Sequence, residues 1–218
     1  RLKFFDRLVL SGAPEHGRAA NAYEKAMRQR QRLLDEAEEG RSPDLDWLDA
    51  LEREMAASGA AMAAARLEAL ARLQAEINER PDNAFPKADL ALHGEIEDDL
   101  AAGSSATGAE ARYADTLKSL RRRDGAAGRT LTGPHRSDFT ARHRDKAMPA
   151  EDCSTGEQKA LLSGLALAQA AARKAVAGRS PVLLLDEACA HLDAARREGL
   201  AEAVLDLGAQ SFMTGVDA

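Results

Sequence analysis

Two adjacent carboxylates, Asp186 and Glu187, directly follow the uninterrupted apolar run at residues 182–185. Such a run is typical of a central parallel strand that is covered on both faces. In open α/β sheets, ligands bind at the carboxyl ends of the strands, and acids placed there suit hydrated magnesium and an activated water. The pair therefore predicts phosphate chemistry, although an ordinary strand that ends in a solvated Asp-Glu pair would contain the same residues.

A second candidate segment, Ser154-Thr155-Gly156-Glu157-Gln158, precedes this strand. Its hydroxyls can cap free amides at a helix N-terminus, which attracts anions through those amides and the helix dipole. A plain capping box between the first serine and the glutamate three residues later would explain the same residues without a ligand. The spacing leaves room for one helix of about twenty residues and a short turn before the acidic strand, so the two segments form a compact helix-to-strand unit.

The segment Ala190-His191-Leu192-Asp193 follows the two acids. In this order, the three segments resemble the signature motif, Walker B strand and D-loop of ABC-type ATPases. The chain resembles the RecF family more closely still, in residues 4–9, 21–23, 30–34, 133–138 and 211–215. Thr214 stands where ABC transporters usually carry a switch histidine, which argues against a transporter.

The resemblance implies an α/β fold: the carboxyl-terminal part of an ABC-type ATPase head, with a parallel-sheet core, and an inserted antiparallel helical lobe. The expected lobe comprises residues 1–82 and the expected head residues 83–218. Apolar periodicity predicts two long helices in the lobe, over residues 21–39 and 48–77. In the head, it predicts a strand from residue 88, a helix toward residue 123, and a strand and turn over residues 130–140.

The resemblance also implies roles for individual residues. Asp186 would be the outer-shell magnesium ligand, and Glu187 would polarise the attacking water. The signature residues Ser154, Thr155, Gly156 and Glu157 would contact ATP bound to the opposite subunit. Asp193 would also belong to the nucleotide site, across the dimer interface. Two residues depart from the family pattern, since Cys153 replaces a common leucine and Thr155 replaces a glycine.

The sequence contains no G-x-x-x-x-G-K-[ST] loop, so it lacks a phosphate cradle of its own. Gly12 and Gly17 have the required separation, but Arg18 and Ala19 stand where a lysine and a hydroxyl are needed. Because the sequence also begins at Arg1 rather than at a methionine, we interpret it as a piece of a longer protein.

The net charge of -6 gives no general reason to expect nucleic acid binding. Residues 118–146, however, carry an excess of about six positive charges, which suits non-specific contacts with DNA phosphates. The alternative is a solvated surface paired with the acidic residues at 95–99. The candidate DNA-binding residues are Arg121, Arg122, Arg123, Arg136, Arg142 and Arg144.

The leading hypothesis is an ATP-dependent DNA-binding protein of the RecF type, acting in replication, recombinational repair and the SOS response. The resemblance implies ATP and Mg²⁺ as cofactors, a homodimer that closes on DNA with ATP and is released by hydrolysis, and recombination mediator proteins as partners. It also implies binding to junctions of single-stranded and double-stranded DNA at gaps. The expected location is the cytoplasm, because no run approaches the roughly 18 apolar residues of a membrane helix.

Two alternatives stay open. One is another ABC-type or chromosome-structure ATPase head, although the two predicted helices are short for the long coiled coils of that group. The other is a module that binds DNA or a partner without hydrolysing ATP, as the missing phosphate loop would require of this sequence alone.

Overall fold

A computed structural model describes residues 1–81, 85–188 and 192–215. The helices are α1 (Leu2–Gly12), α2 (Pro14–Glu38), α3 (Leu45–Glu79), α4 (Glu95–Ala101), α5 (Ala106–Ser119), α6 (Arg121–Ala127), α7 (Thr155–Ala177) and α8 (Ala194–Leu207). The strands are β1 (Ala88–His93), β2 (Asp138–His143), β3 (Met148–Pro149), β4 (Leu183–Leu185) and β5 (Ser211–Met213). Among these residues, no helix is both long enough and apolar enough to cross a membrane.

The long helices of the amino-terminal part agree with the sequence prediction and extend beyond it. Helix α2 begins at Pro14, whose missing N–H costs nothing in the first turn, whereas the periodicity placed its start at residue 21. The chain leaves α2 through Gly40, which adopts a φ of 86°. Helix α3 runs for 35 residues, somewhat longer than the predicted 48–77.

One compact unit comprises residues 1–69 and 92–139. Its core joins one face of α2, the middle of α3, and α4 and α5, and contains Tyr23, Ala26, Leu51, Met55, Ala56, Ala60, Met62, Ala63, Ile96, Ala109, Tyr113 and Leu117. Each large apolar side chain buried in this way stabilises the fold by about 1.5–3 kcal/mol relative to exposure. The helices predicted for the lobe therefore share their core with helices that follow β1.

The second compact unit comprises residues 70–91 and 140–218. Its main core lies where α7 and α8 meet β4, with buried Ala160, Leu167, Leu192, Leu200 and Val204. The two units alternate along the chain. The predicted boundary between residues 82 and 83 lies outside the described residues, and that division stays a prediction.

The strand β4 pairs in parallel with β5, as the predicted fold class requires. The expectation that both faces of β4 are covered is wrong for this chain. Leu183 and Leu185 pack on the core of α7 and α8, whereas Leu184, which points to the opposite face, is 77% exposed. Successive side chains of a strand alternate between faces, and within the described residues only one face of this two-stranded sheet is packed against helices.

A separate sheet contains β1, β2 and β3 in that order. Strands β2 and β3 are antiparallel, with Arg142 opposite Pro149 and His143 opposite Met148. The strand predicted from residue 88 is confirmed as β1, whereas the segment around Gly133 forms a short 3₁₀ turn (Pro134–Arg136) ahead of β2.

Candidate functional site

The carboxyl end of β4 presents Asp186 and Glu187 as exposed side chains, where the sequence predicted them. The hydroxyl of Thr214 contacts both residues. It donates a hydrogen bond to Asp186 Oδ1 at 2.5 Å and accepts one from the Glu187 N–H at 3.0 Å. A single side chain from the end of β5 thus holds the two acids.

Parallel pairing explains this contact. Leu185 lies opposite Met213, and the Thr214 N–H donates to the Leu185 carbonyl oxygen at 3.0 Å. The pairing of the two segments therefore continues one residue beyond β5. Glu187 adopts a φ of 48°, in the left-handed region that residues other than glycine seldom occupy. The sequence analysis used Thr214 only to argue against a transporter. Its contact with the acids could not be predicted without knowing which strand pairs with β4.

The oxygen atoms at this end of β4 fit a hydrated magnesium ion held partly through water and phosphate. Asp186 Oδ2 and both carboxylate oxygens of Glu187 make no hydrogen bond or ion pair within the described chain. Across the same residues, no group of three or more histidine, cysteine or acidic side chains is arranged to hold a metal. Mg²⁺ is commonly bound through one or two carboxylates together with water and substrate phosphates.

Helix α7 begins after Ser154, where the sequence predicted a helix N-terminus, and its first turn is closed by the capping box that was the alternative without a ligand. The Ser154 hydroxyl accepts from the Glu157 N–H at 3.4 Å and donates to Glu157 Oε2 at 2.9 Å. The Ser154 N–H donates to the same oxygen at 3.0 Å. A phosphate that binds the Ser154 hydroxyl would therefore replace its bond to Glu157.

Lys146 completes the polar contacts of this turn, because its ammonium group pairs with Glu157 Oε1. The hydrogen bonds from Lys146 and then from Ser154 lower the pKa of Glu157 to about 2. The sequence analysis included Lys146 in the basic cluster but not in this site. Eleven positions separate the two residues, and the lysine is brought near by the turn between β2 and β3.

The loop before α7 is held by Gln158, the last residue of the candidate segment 154–158. The side-chain amide of Gln158 donates to the carbonyl oxygens of Glu151 and Cys153, each at 3.0 Å. Cys153 is buried against β1 and α7. Thr155 and Gly156 are the first two residues of α7, and the Thr155 side chain is exposed in the position where the family pattern has glycine.

Asp193 caps the N-terminus of α8, since its carboxylate accepts from the Arg196 N–H at 2.8 Å. Ala190 and His191, the first two residues of the predicted D-loop, lie outside the described residues. In the part of the chain that the structure describes, no hydrogen bond or ion pair joins the acids of β4, the capping box of α7 and Asp193. The predicted site residues therefore lie in three separate local groups, each with its own hydrogen bonds.

The candidate DNA-binding arginines fall into two classes. Arg121 pairs with Asp49 and Glu52, and Arg144 pairs with Asp89. Arg142 donates to the carbonyl oxygen of Ala147. Arg122, Arg123 and Arg136 are exposed, and their side chains make neither an ion pair nor a hydrogen bond with a described residue.

The segment around His135 is held in place by polar contacts. The ring contacts the Thr130 carbonyl oxygen through Nε2 at 3.2 Å and the Tyr23 hydroxyl through Nδ1 at 2.9 Å. Burial lowers the pKa of His135. Because a carbonyl oxygen only accepts, the Nε2 atom that faces Thr130 carries a proton. The Tyr23 hydroxyl also lies 2.8 Å from the Tyr113 hydroxyl, which donates its own proton to the Thr132 carbonyl oxygen at 3.1 Å.

A second set of contacts fixes the ends of the same segment. Arg66 donates to the carbonyl oxygen of Pro134 at 2.8 Å, and Ser137 donates to Glu97 at 2.8 Å. Arg66 also pairs with Glu97 at 2.9 Å, and both side chains are almost fully buried. These contacts give His135 and its neighbours a structural role and leave Arg136 directed to solvent.

Curated proteins similar to this chain are described as DNA replication and repair protein RecF. The protein of Caulobacter sp. (strain K31) is 54% identical over 219 residues, which cover 100% of this chain and 56% of the relative. The protein of Rhizobium meliloti (strain 1021) is 54% identical over 218 residues, covering 100% of this chain and 57% of the relative. The chain thus spans little more than half the length of these relatives. No protein-family model matches it.

Two solved structures of the recombination mediator protein RecF in the RecFOR pathway share the fold. The one described with ATP aligns with a TM-score of 0.78, and the one described with ATPrS with a TM-score of 0.77. Each is 21% identical to this chain, and the alignment covers 99% of this chain and 57% of the solved one. This likeness confirms the predicted fold class.

Proposed function

We propose that this chain supplies the signature, Walker B and D-loop segments of a RecF-type ATPase, which binds DNA in replication and recombinational repair. The proposal is based on the homology of the chain to RecF proteins along its whole length. The observation that carries this proposal is the agreement between the homology and the carboxyl end of β4. There the two acids of the Walker B position are exposed and held by one hydroxyl from the adjacent strand.

When bound, ATP and Mg²⁺ would supply the scissile phosphoryl bond and the positive charge that stabilises its transfer. Asp186 would hold the ion through its water shell, because its side chain is exposed and its Oδ2 makes no hydrogen bond to a described residue. Glu187 would accept a hydrogen bond from the attacking water and so orient and polarise it. These roles divide the adjacent acids into one metal-binding group and one group that acts on water.

The capping box of α7 would meet the nucleotide of a second subunit. Ser154, Thr155 and Gly156 present hydroxyls and backbone amides at a helix N-terminus, which favours phosphate. Glu157 would give up its bond to the Ser154 hydroxyl when a phosphate arrives there, and it would keep Lys146 as a partner. Asp193, at the start of α8, would lie across the same dimer interface.

The wider biological role follows from the same homology. The proposed partners are DNA, including junctions of single-stranded and double-stranded DNA at gaps, a second copy of the protein, and recombination mediator proteins. The proposed setting is the bacterial cytoplasm, with a contribution to the SOS response. The exposed Arg122, Arg123 and Arg136 are the best placed of the candidate residues for contacts with DNA phosphates.

The test is steady-state ATP hydrolysis by the protein in its full natural length, compared with Glu187→Gln. Glutamine keeps the size of the side chain but polarises water poorly, so we expect kcat to fall by about 10²–10⁴-fold while ATP binding and thermal stability are retained. The matched control is Glu15→Gln, an exposed acid in an ion pair with Arg18. Unchanged turnover in Glu187→Gln would remove this residue from the mechanism.

The same measurement distinguishes a second reading. If the wild-type protein binds DNA but hydrolyses no ATP with any DNA present, the chain belongs to a binding module rather than to an ATPase. The absence of a G-x-x-x-x-G-K-[ST] loop from these 218 residues is the observation that favours this reading.

A further inference from the structure

We propose that Thr214 is a positioning residue for the acids of β4, which fixes the backbone at Glu187 and the carboxylate of Asp186 through one hydroxyl group. This inference deepens the proposed function and rests on it for the consequence in catalysis. The positioning itself can be tested without nucleotide.

The hydrogen-bonding capacity of threonine accounts for the arrangement. A hydroxyl carries one proton to donate and two lone pairs that accept. Thr214 uses the proton toward Asp186 Oδ1 and a lone pair toward the Glu187 N–H, at 2.5 Å and 3.0 Å. An ionised carboxylate only accepts and a backbone N–H only donates, so these two directions are the only ones that satisfy both partners.

The backbone at Glu187 needs such a partner. Its φ of 48° turns the chain sharply directly after β4. A residue with a side chain seldom adopts this conformation unless the surroundings hold it there. The hydrogen bond from the Glu187 N–H to Thr214 is a contact that holds it, and the position of the Glu187 carboxylate depends on this turn.

The strand pairing makes Thr214 a rigid support. Its own N–H donates to the carbonyl oxygen of Leu185 at 3.0 Å, so its backbone is part of the β4–β5 ladder. A side chain on a paired strand is positioned more precisely than one on a loop. The pairing of β4 with β5 therefore fixes the position of the Thr214 hydroxyl, and this hydroxyl fixes the two acids.

The first experiment is amide hydrogen exchange at Glu187, measured by NMR on the nucleotide-free protein of full natural length. We expect the wild type and Thr214→Ser to protect this amide, because both have a hydroxyl that can accept. Thr214→Val keeps the branched shape without the hydroxyl and is expected to exchange at least tenfold faster at Glu187. The matched control, Thr116→Val, removes a hydroxyl from a half-buried threonine of α5 and should leave Glu187 unchanged.

The second experiment measures ATP hydrolysis in the protein of full natural length. Partners that orient a metal or catalytic ligand typically contribute 10–100-fold, so Thr214→Val is expected to lower kcat by about that factor with little change in KM. Thr214→Ser should restore most of kcat, which loss of packing would not predict. If Thr214→Val fails to fold, Thr214→Ala takes its place, since it removes the hydroxyl without adding bulk.

The outcomes separate the two proposals. Equal exchange at Glu187 in wild type and Thr214→Val overturns the positioning role, as does a Thr214→Ser variant that loses as much kcat as Thr214→Val. If the wild-type protein hydrolyses no ATP, the proposed function fails, and the exchange measurement alone still decides whether Thr214 holds the turn.

Discussion

Arg30 Nη1 lies 2.7 Å from Asp124 Oδ2, and neither side chain is exposed, although 94 positions separate the two residues. The other guanidinium donors are also used: Nε donates to Glu52 at 2.9 Å, and Nη2 donates to the Leu117 carbonyl oxygen at 2.7 Å. A single buried arginine thus ties α2 to α3, α5 and α6. Such a group is costly to desolvate and is tolerated because its charge and its donors are paired.

We expect Arg30→Met to lower the free energy of unfolding by about 3–5 kcal/mol, because it leaves the carboxylates of Glu52 and Asp124 buried with less compensation. Urea unfolding measures this loss. The matched control is Arg28→Met, which breaks an exposed ion pair with Glu24 and should cost at most about 1 kcal/mol. Equal losses in the two variants would show that the buried network contributes no more to the free energy of unfolding than an exposed ion pair.

Gly133 is expected to tolerate no side chain. Its φ is 121°, and a Cβ atom there would lie 1.9 Å from the Tyr113 hydroxyl and 2.5 Å from the Tyr23 hydroxyl. We expect Gly133→Ala to destabilise the chain by about 3 kcal/mol or more, through steric overlap added to backbone strain. Gly103→Ala is the control, because Gly103 has a φ of 94° and no atom within 4 Å. Gly103→Ala should cost only the backbone strain, about 1–2 kcal/mol. Urea unfolding of the two variants measures both losses.

The carboxyl of Glu157 is expected to titrate near its lowered pKa of about 2 rather than near 4.5. Because the pKa is lower in the folded chain, this group stabilises the fold above the unfolded value of 4.5, and the contribution is lost as the pH falls toward 2. NMR titration of the side-chain carboxyl carbon measures the pKa directly. Lys146→Met should raise it toward 4.5, and a wild-type titration already at 4.5 would contradict the Lys146 contact.

The arginines exposed on α6 are expected to contact DNA phosphates. We expect the double variant Arg122→Gln, Arg123→Gln to bind duplex DNA more weakly at low salt, with the slope of log K against log salt reduced by about 0.9 for each phosphate that the variant no longer neutralises. Fluorescence anisotropy over a salt series measures both quantities. Arg28→Gln is the control, since Arg28 is exposed and already paired with Glu24. An unchanged slope in the double variant would remove α6 from the DNA interface.

Local sequence signals predicted the elements well where a short-range physical rule decides the structure. The capping box of Ser154 and Glu157 and the strand before Asp186 both follow from residues within a few positions of one another. The same rules placed the two acids at the carboxyl end of β4. The predicted start of α2 was seven residues too late. The first turns of this helix have only a weak apolar pattern, and the helix begins at Pro14.

The contacts that define the site could not be derived from the sequence. Thr214 meets Asp186 from 28 positions away, and Lys146 meets Glu157 from 11. Likewise, the pairing of Arg121 with Asp49 and Glu52 distinguishes it from the solvent-facing Arg122 beside it, although all the arginines of this cluster look alike in the sequence.

The sequence by itself indicated the long helices, the strand that carries the two acids at its carboxyl end, and the similarity to RecF proteins. These properties depend on periodicity, capping and motif order, all of which are local or additive along the chain. Only the tertiary structure decided that Thr214 supports both acids, that Arg30 and Arg66 are buried in carboxylate networks, and that one face of β4 is exposed. Strand pairing and side-chain burial set these contacts, and both depend on which distant segments the folded chain brings together.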